Sequence, residues 1–331
     1  MTDGLTDVVG IGDAIVDVLT RADDTFLERE ELPKGVMTLI DSVRAEQLYT
    51  DMSAAVEICS GGSAANTVAG LAALGGRARF IGKVREDQLG SIFRHDIRAA
   101  GVGFDTPAAS DGPSTARCFI FVTPDAQRTM GTYLGACNEL GPGDVDPDTV
   151  SGASVTYLEG YLWDPPGAKQ AFVKAAEIAH AADRQVALSL SDPFCVERYR
   201  SEFRDLVDGH IDLLFANEHE ICALYETDRF EQALEAVRGR CALAILTRSE
   251  KGSVVVSGEA VHPVDAEPVQ RVVDTTGAGD LFAAGFLFGY TRGRELPECA
   301  RIGAIAAAEV ISHYGARPQE SLADLVAQRL D

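Results

Sequence analysis

Apolar residues first gather at Val8, Val9 and Ile11, a run broken by Gly10, Gly12 and Asp13, and this predicts a buried strand ending in a polar loop. Between Asp23 and Ser42 charges mix with isolated apolar residues around Pro33-Lys34-Gly35, which predicts an exposed subregion of short strands or turns. An alanine-rich stretch predicts a helix from Ser63 to Leu74, with Ser63 as N-cap and Gly75 as C-cap. A strand over Arg79–Val84 and a helix over Leu89–Ala100 follow. Thr115–Thr123 alternates apolar and polar residues, and with a turn at Pro124-Asp125-Ala126 and a second strand over Arg128–Leu134 it predicts a hairpin.

From about residue 150 the rhythm changes. Strands are predicted at Ser154–Leu158, Val186–Leu190, Leu213–Ala216 and Leu243–Thr247, separated by helices at Lys169–Ala182, Glu197–Val207 and Phe230–Arg238. A strand pair near Ser253–Val256 and Val261–Val264 precedes a long helix from Asp280. Such alternation predicts an α/β fold whose mostly parallel sheet is covered by helices. The β-rich stretches at 15–50 and 113–135 could bury little alone, so they read as one lid inserted twice into a single domain made of residues 1–14, 51–112 and 136–331.

Composition narrows the function. Of 331 residues 46% are hydrophobic, too many for a disordered chain. Acidic residues outnumber basic ones 51 to 29, and the net charge of −22 repels nucleic-acid backbones and anionic membrane surfaces. The seven cysteines are scattered without a Cys-x-x-Cys pair, which predicts reduced thiols in the cytoplasm rather than disulfides or a zinc site. The start of the chain carries no signal-peptide pattern, and no apolar run is long enough for a membrane span: Leu281–Tyr290 stops at Arg292 and Ile302–Ile311 contains Glu309.

The segment richest in chemistry is Asp274-Thr275-Thr276-Gly277-Ala278-Gly279-Asp280. A glycine-rich turn opening a helix aims the amides of Gly277, Ala278 and Gly279 outwards as an anion hole. Asp280 puts a carboxylate at its mouth, suited either to accepting a proton from a hydroxyl that attacks a phosphoryl group or simply to capping the helix. Gly61-Gly62-Ser63-Ala64-Ala65-Asn66 is a second glycine turn before a helix. Gly10-Ile11-Gly12 is an incomplete dinucleotide fingerprint with Ile15 at the third glycine position, and the Walker phosphate loop is absent. Asp13 and Asp17, four apart after a strand, suit neutral hydroxyls such as a ribose diol, or a solvated loop. Asn217-Glu218-His219-Glu220 follows a strand end, where Glu220 could hold magnesium through water or cap a helix.

Together, from about Val8 to Pro318, these motifs resemble the ribokinase-like carbohydrate kinase (PfkB) family, both of whose signatures are present in order. The resemblance implies a three-layer α/β/α domain with a small β lid, and ATP-dependent phosphorylation of a hydroxyl. It implies Asp280 as catalytic base and Gly277, Ala278 and Gly279 as its anion hole. Asp17 and Asn66 would hold substrate hydroxyls with Asp13, while Gly61 and Gly62 act as the lid hinge. Asn217 and Glu220 would serve magnesium and phosphate; Thr247, Arg248, Gly252 and Thr276 would line the nucleotide. Ser249 departs from the family pattern, standing where Thr-x-Gly-x-x-Gly has its first glycine. Within the family the chain resembles the adenosine kinases at Asp24–Arg29, Met37-Thr38-Leu39, Ser189–Phe194 and Tyr314-Gly315-Ala316-Arg317-Pro318, the last implying a monovalent cation such as potassium. The expected activity is 5′-phosphorylation of a nucleoside, adenosine first, by ATP with magnesium, in a monomer or homodimer. Arg128 on the hairpin is a candidate for neutralising phosphate, and Phe119, Phe121 and Tyr133 are candidates for the base contact or for lid core. The alternatives are a kinase of ribose, fructose or a keto-sugar acid, and a silent nucleoside sensor.

Overall fold

A computed structural model describes residues 5–52, 57–125 and 127–330. The first strand, β1 (Thr6–Ile11), shows how the layers arise. Val8 points into one core while Val9 and Ile11 point into a second, so both faces of the strand are covered. The next elements are β2 (Ile15–Arg21), α1 (Asp24–Arg29), β3 (Met37–Leu39), α2 (Ser42–Asp51), β4 (Glu57–Gly61) and α3 (Ser63–Ala73). Then come β5 (Ala78–Ile81), α4 (Gln88–Ala99), β6 (Val102–Phe104), β7 (Ala116–Val122) and β8 (Arg128–Tyr133). The alternating half holds α5 (Pro147–Ser151), β9 (Ala153–Glu159), α6 (Pro166–Ala181), β10 (Gln185–Ser189), α7 (Pro193–His210), β11 (Leu213–Asn217), α8 (Glu218–Tyr225) and α9 (Phe230–Val237). It closes with β12 (Leu243–Thr247), β13 (Ser253–Ser257), β14 (Ala260–Val264), α10 (Ala278–Tyr290), α11 (Leu296–Val310) and α12 (Leu322–Leu330).

Nine strands form one sheet in the order β14-β13-β12-β11-β10-β9-β1-β5-β6, parallel from β12 to β6 with β13 and β14 antiparallel at one edge. Helices α3, α10 and α11 cover the face that buries Val8 and Tyr157, and α6 to α9 cover the face that buries Val9 and Leu158. A second sheet, β3-β8-β7-β2-β4, forms the smaller unit. Its hairpin β7–β8 matches the expected one, although Ala126 of the turn lies outside the described residues. Among the described residues no helix is long and apolar enough to cross a membrane.

Several expectations need correction. The region 23–42 is not only short strands and turns: α1 opens it and α2 begins at its end, each started by an aspartate, Asp23 or Asp41, whose carboxylate accepts a backbone amide. The cap of α3 is Gly62, not Ser63, because the Ser63 hydroxyl is used elsewhere. At its far end Gly75 follows the last helical turn and donates to the Ala72 carbonyl, the closing position expected of it. Helix α10 starts at Ala278, two residues before Asp280, so the carboxylate sits inside the first turn.

Candidate active site

The β1–β2 loop, the start of α3 and the start of α10 meet at Asp280. Its Oδ1 accepts the Ser63 hydroxyl (2.6 Å) and its Oδ2 accepts the Asn66 amide (3.0 Å). Burial raises the Asp280 pKa, while these two hydrogen bonds and the Arg317 charge pull it back. Arg317 is half-buried and donates to the Ala65 carbonyl (3.1 Å) and the Ser60 hydroxyl (3.1 Å). A carboxylate that is half-buried, held by two hydrogen bonds and still ionisable is equipped to take a proton. The side-chain oxygen of Asn66, Oδ1, is buried without a hydrogen-bond partner.

Asp17 and Asp13 flank this centre. The Asp17 carboxylate lies directly against the Gly61 Cα, where an added Cβ would sit 2.4 Å from it. Gly62 has φ +96°, a conformation L side chains avoid, and a Cβ there would lie 2.2 Å from the Asp13 carbonyl oxygen. Asp13 is buried, and burial pushes its pKa up to about 6.

The turn before α10 forms the expected cradle in part. Gly277 is left-handed (φ +79°) and accepts the first helical bond, from Leu281. The Ala278 amide already donates to the Thr275 carbonyl (3.2 Å), so the amides of Gly279 and Asp280 are those left over in the first turn. A Cβ on Gly279 would project into open space, so the turn has room for a phosphate group beside those amides. Asp274 braces the turn, accepting the Thr276 amide and hydroxyl and the Gly315 amide. The small sheet reaches this same point: Arg128 on β8 forms a 2.6 Å ion pair with Asp274 and donates to the Thr276 hydroxyl (2.8 Å).

The remaining expected residues lie at the ends of β11 and β12, where Asn217 and Thr247 are partners in register. Asn217 caps α8 and exchanges bonds with Glu220 in both directions, its amide reaching Glu220 Oε2 at 2.8 Å. Glu220 is thus a capping residue, and burial, with Asp192 and Asp280 adding negative field, pushes its pKa up to about 7. Arg248 lies 3.9 Å above the Phe230 ring and pairs with Glu218 (3.1 Å), as does Lys251 (3.3 Å). These side chains line an open cleft of about 730 Å³ with His219 and Thr227. Gly252 is left-handed, and Ser249, where the family pattern has glycine, is forced to the same hand at φ +52°. Ser249→Gly is therefore expected to stabilise the protein by about 0.5–1 kcal/mol in a denaturant titration, since the left-handed cost to an L residue exceeds the added chain entropy of glycine.

One pair of alternatives is narrowed. Phe119 and Phe121 pack on Tyr49 and Phe26, on the opposite face of β7 from Cys118, the register partner of Asp17; Tyr133 shares that far face through its pairing with Arg117. They are lid core. The residues missed by the sequence reading are Ser63, Asp274, Arg317 and Glu159. Glu159 was findable: an acid ending a buried strand of a parallel sheet stands where ligands collect.

A match to the pfkB family of carbohydrate kinases extends over residues 37–322. The chain belongs to that family. Family membership makes it a phosphotransferase acting on a hydroxyl group, and a nucleoside or sugar kinase using ATP with a divalent metal. A crystal structure of adenosine kinase from Sinorhizobium meliloti is 56% identical, covering 98% of this chain and 99% of that one with a TM-score of 0.92. A structure described as a probable sugar kinase from Rhizobium etli is 51% identical over 98% of each chain, again with a TM-score of 0.92. The adenosine kinase of Saccharomyces cerevisiae is 27% identical over 93% of this chain and 95% of its own length.

Proposed function

We propose that this kinase phosphorylates the 5′-hydroxyl of adenosine, converting adenosine and ATP to AMP and ADP. The observation that carries the reading is the face of the small sheet turned to Asp280. Register puts Leu19, Cys118, Ile120, Met130, Met37 and Leu39 on the same face as Asp17 and Arg128. That gives one carboxylate for ribose hydroxyls beside a broad apolar surface, which suits a flat base better than a free sugar. The likeness to the Sinorhizobium meliloti adenosine kinase supports the same substrate.

In this reading Asp280 accepts the 5′-hydroxyl proton as that oxygen bonds to the γ-phosphorus of ATP and the bond to the β-phosphate oxygen breaks, releasing ADP. Ser63 and Asn66 fix the carboxylate, and the leftover amides of the α10 start stabilise the charge on the transferring group. Arg128, brought to the turn by the lid, adds a positive charge and helps exclude water. The oxygen donors Asn217 and Glu220 suit the water shell of a hard ion, and bound magnesium would spread the charge of the phosphates. Potassium would find Asp274 already neutralised by Arg128, and no step is assigned to it.

The sugar-kinase reading has the Rhizobium etli likeness behind it, so one experiment decides between them. ADP release is measured with adenosine, the other nucleosides, ribose and fructose. Adenosine is expected to exceed ribose in kcat/KM by at least about 100-fold, the worth of roughly 3 kcal/mol of buried base. Equal or better turnover of a free sugar would overturn the assignment.

A further inference from the structure

We propose that Glu159 is a positioning residue that shares a single proton with Asp13, so that the pair holds the β1–β2 loop against the start of α3 with one negative charge instead of two. The placement of Asp13 at the substrate rests on the proposed function; the proton sharing does not.

Glu159 ends β9 and is 1% exposed, and Asp13 is 6% exposed. Glu159 Oε2 accepts two backbone amides, from Ala64 (2.8 Å) and from Asp13 (3.3 Å), and so ties the second residue of α3 to the loop after β1. The fit depends on Gly12: a Cβ there would lie 2.1 Å from the same oxygen. With Oε2 taken by amides, Oε1 is the atom left to carry a proton, and the bond from the Asp13 amide holds the two acids side by side.

The surroundings make that proton hard to lose. The groups facing the pair are acids, thiols and phenols: Asp280 from α10, Asp164 beyond β9, Cys137 from the turn after β8, Cys195 from α7, and Tyr157 and Tyr161 around β9. Two ionised carboxylates repel each other strongly out of water, and such pairs titrate as a unit. Burial and then the neighbouring Asp13 charge hold Glu159 well above the usual carboxylate range. The step itself is simple acid dissociation, Glu159 O–H releasing its proton to solvent. The second charge that appears would push Asp13 and its loop away from Asp280.

The linkage has a definite sign. Glu159 binds its proton more tightly folded than unfolded, so its stabilising contribution is complete below its unfolded pKa and is lost as pH rises through the folded one. Glu159→Gln cannot ionise. Its melting temperature minus that of the wild type is expected to climb by roughly 4 °C or more between about pH 5 and pH 9. An ionised Glu159, held by its two amides, would titrate below this range, so the difference would stay level between about pH 5 and pH 9. A flat or falling difference overturns the proposal. Should Glu159→Gln not fold, Asp13→Asn carries the same test, because removing one charge lets Glu159 ionise at lower cost and flattens the wild-type slope. The kinetic counterpart is the KM for adenosine. In the wild type it should rise at alkaline pH by up to about tenfold per unit, the limit for one proton, and in Glu159→Gln it should stay level. The melting measurement contains no substrate, so its failure and a failure of the adenosine assignment are told apart.

Discussion

Asp280→Asn is expected to lower kcat by about 10³-fold while leaving the KM for adenosine and for ATP within a few-fold of the wild type. The substitution removes the proton acceptor and little else. Ser63 can donate to the new amide oxygen, and Asn66, whose own Oδ1 is buried without a partner, can turn that oxygen to the new NH₂ group. Packing and melting temperature should therefore stay close to the wild type, so the loss would be chemical. In the wild type, kcat should fall on the acid side as Asp280 takes up a proton, at a pH above that of an ordinary aspartate because the side chain is half-buried. Near-normal turnover of the asparagine variant in an ADP-release assay would mean that the proton leaves by another route.

Gly62→Ala should be the most damaging small change in the substrate region. Alanine at φ +96° is strained in itself, and its Cβ would come within 2.2 Å of a backbone oxygen, that of Asp13, which cannot rotate away as a side chain could. The expected cost is about 3 kcal/mol, or roughly 6 °C in melting temperature, combining left-handed strain with a forced backbone shift. The shift would also move Asp13, so the KM for the phosphate acceptor should rise with it. Gly209→Ala is the contrast: a helical glycine in α7 with open space around it, where alanine should be neutral or slightly stabilising. If Gly62→Ala melts like Gly209→Ala, the loop is softer than its geometry implies.

The alternating half of the chain was legible because its signals are local. β9 to β12 are buried on both faces, so they read as apolar runs, and the helices between them repeat at helical spacing. The lid was harder. β2 carries Asp17 and β4 runs into Gly61 and Gly62, so the residues that serve the site interrupt the strand pattern. In α2 only Ala45 and Leu48 are buried, too few to mark a helix face. At the site, the turn ending in Asp280 could be recognised because its parts are contiguous. Ser63 and Arg317 could not, since each acquires its role from a partner far away in sequence.

That distance bears on when a growing chain can become active. The bonds around Asp280 join residues 217 and 214 positions apart, Ala64 reaches Glu159 across 95, and Arg317 reaches Ala65 across 252. Parallel strands likewise wait for distant partners, and such topologies are slow to form. During translation the ribosome must have added residue 317 before its guanidinium can reach the Ala65 carbonyl near the start of α3, so early fragments would lack that tie.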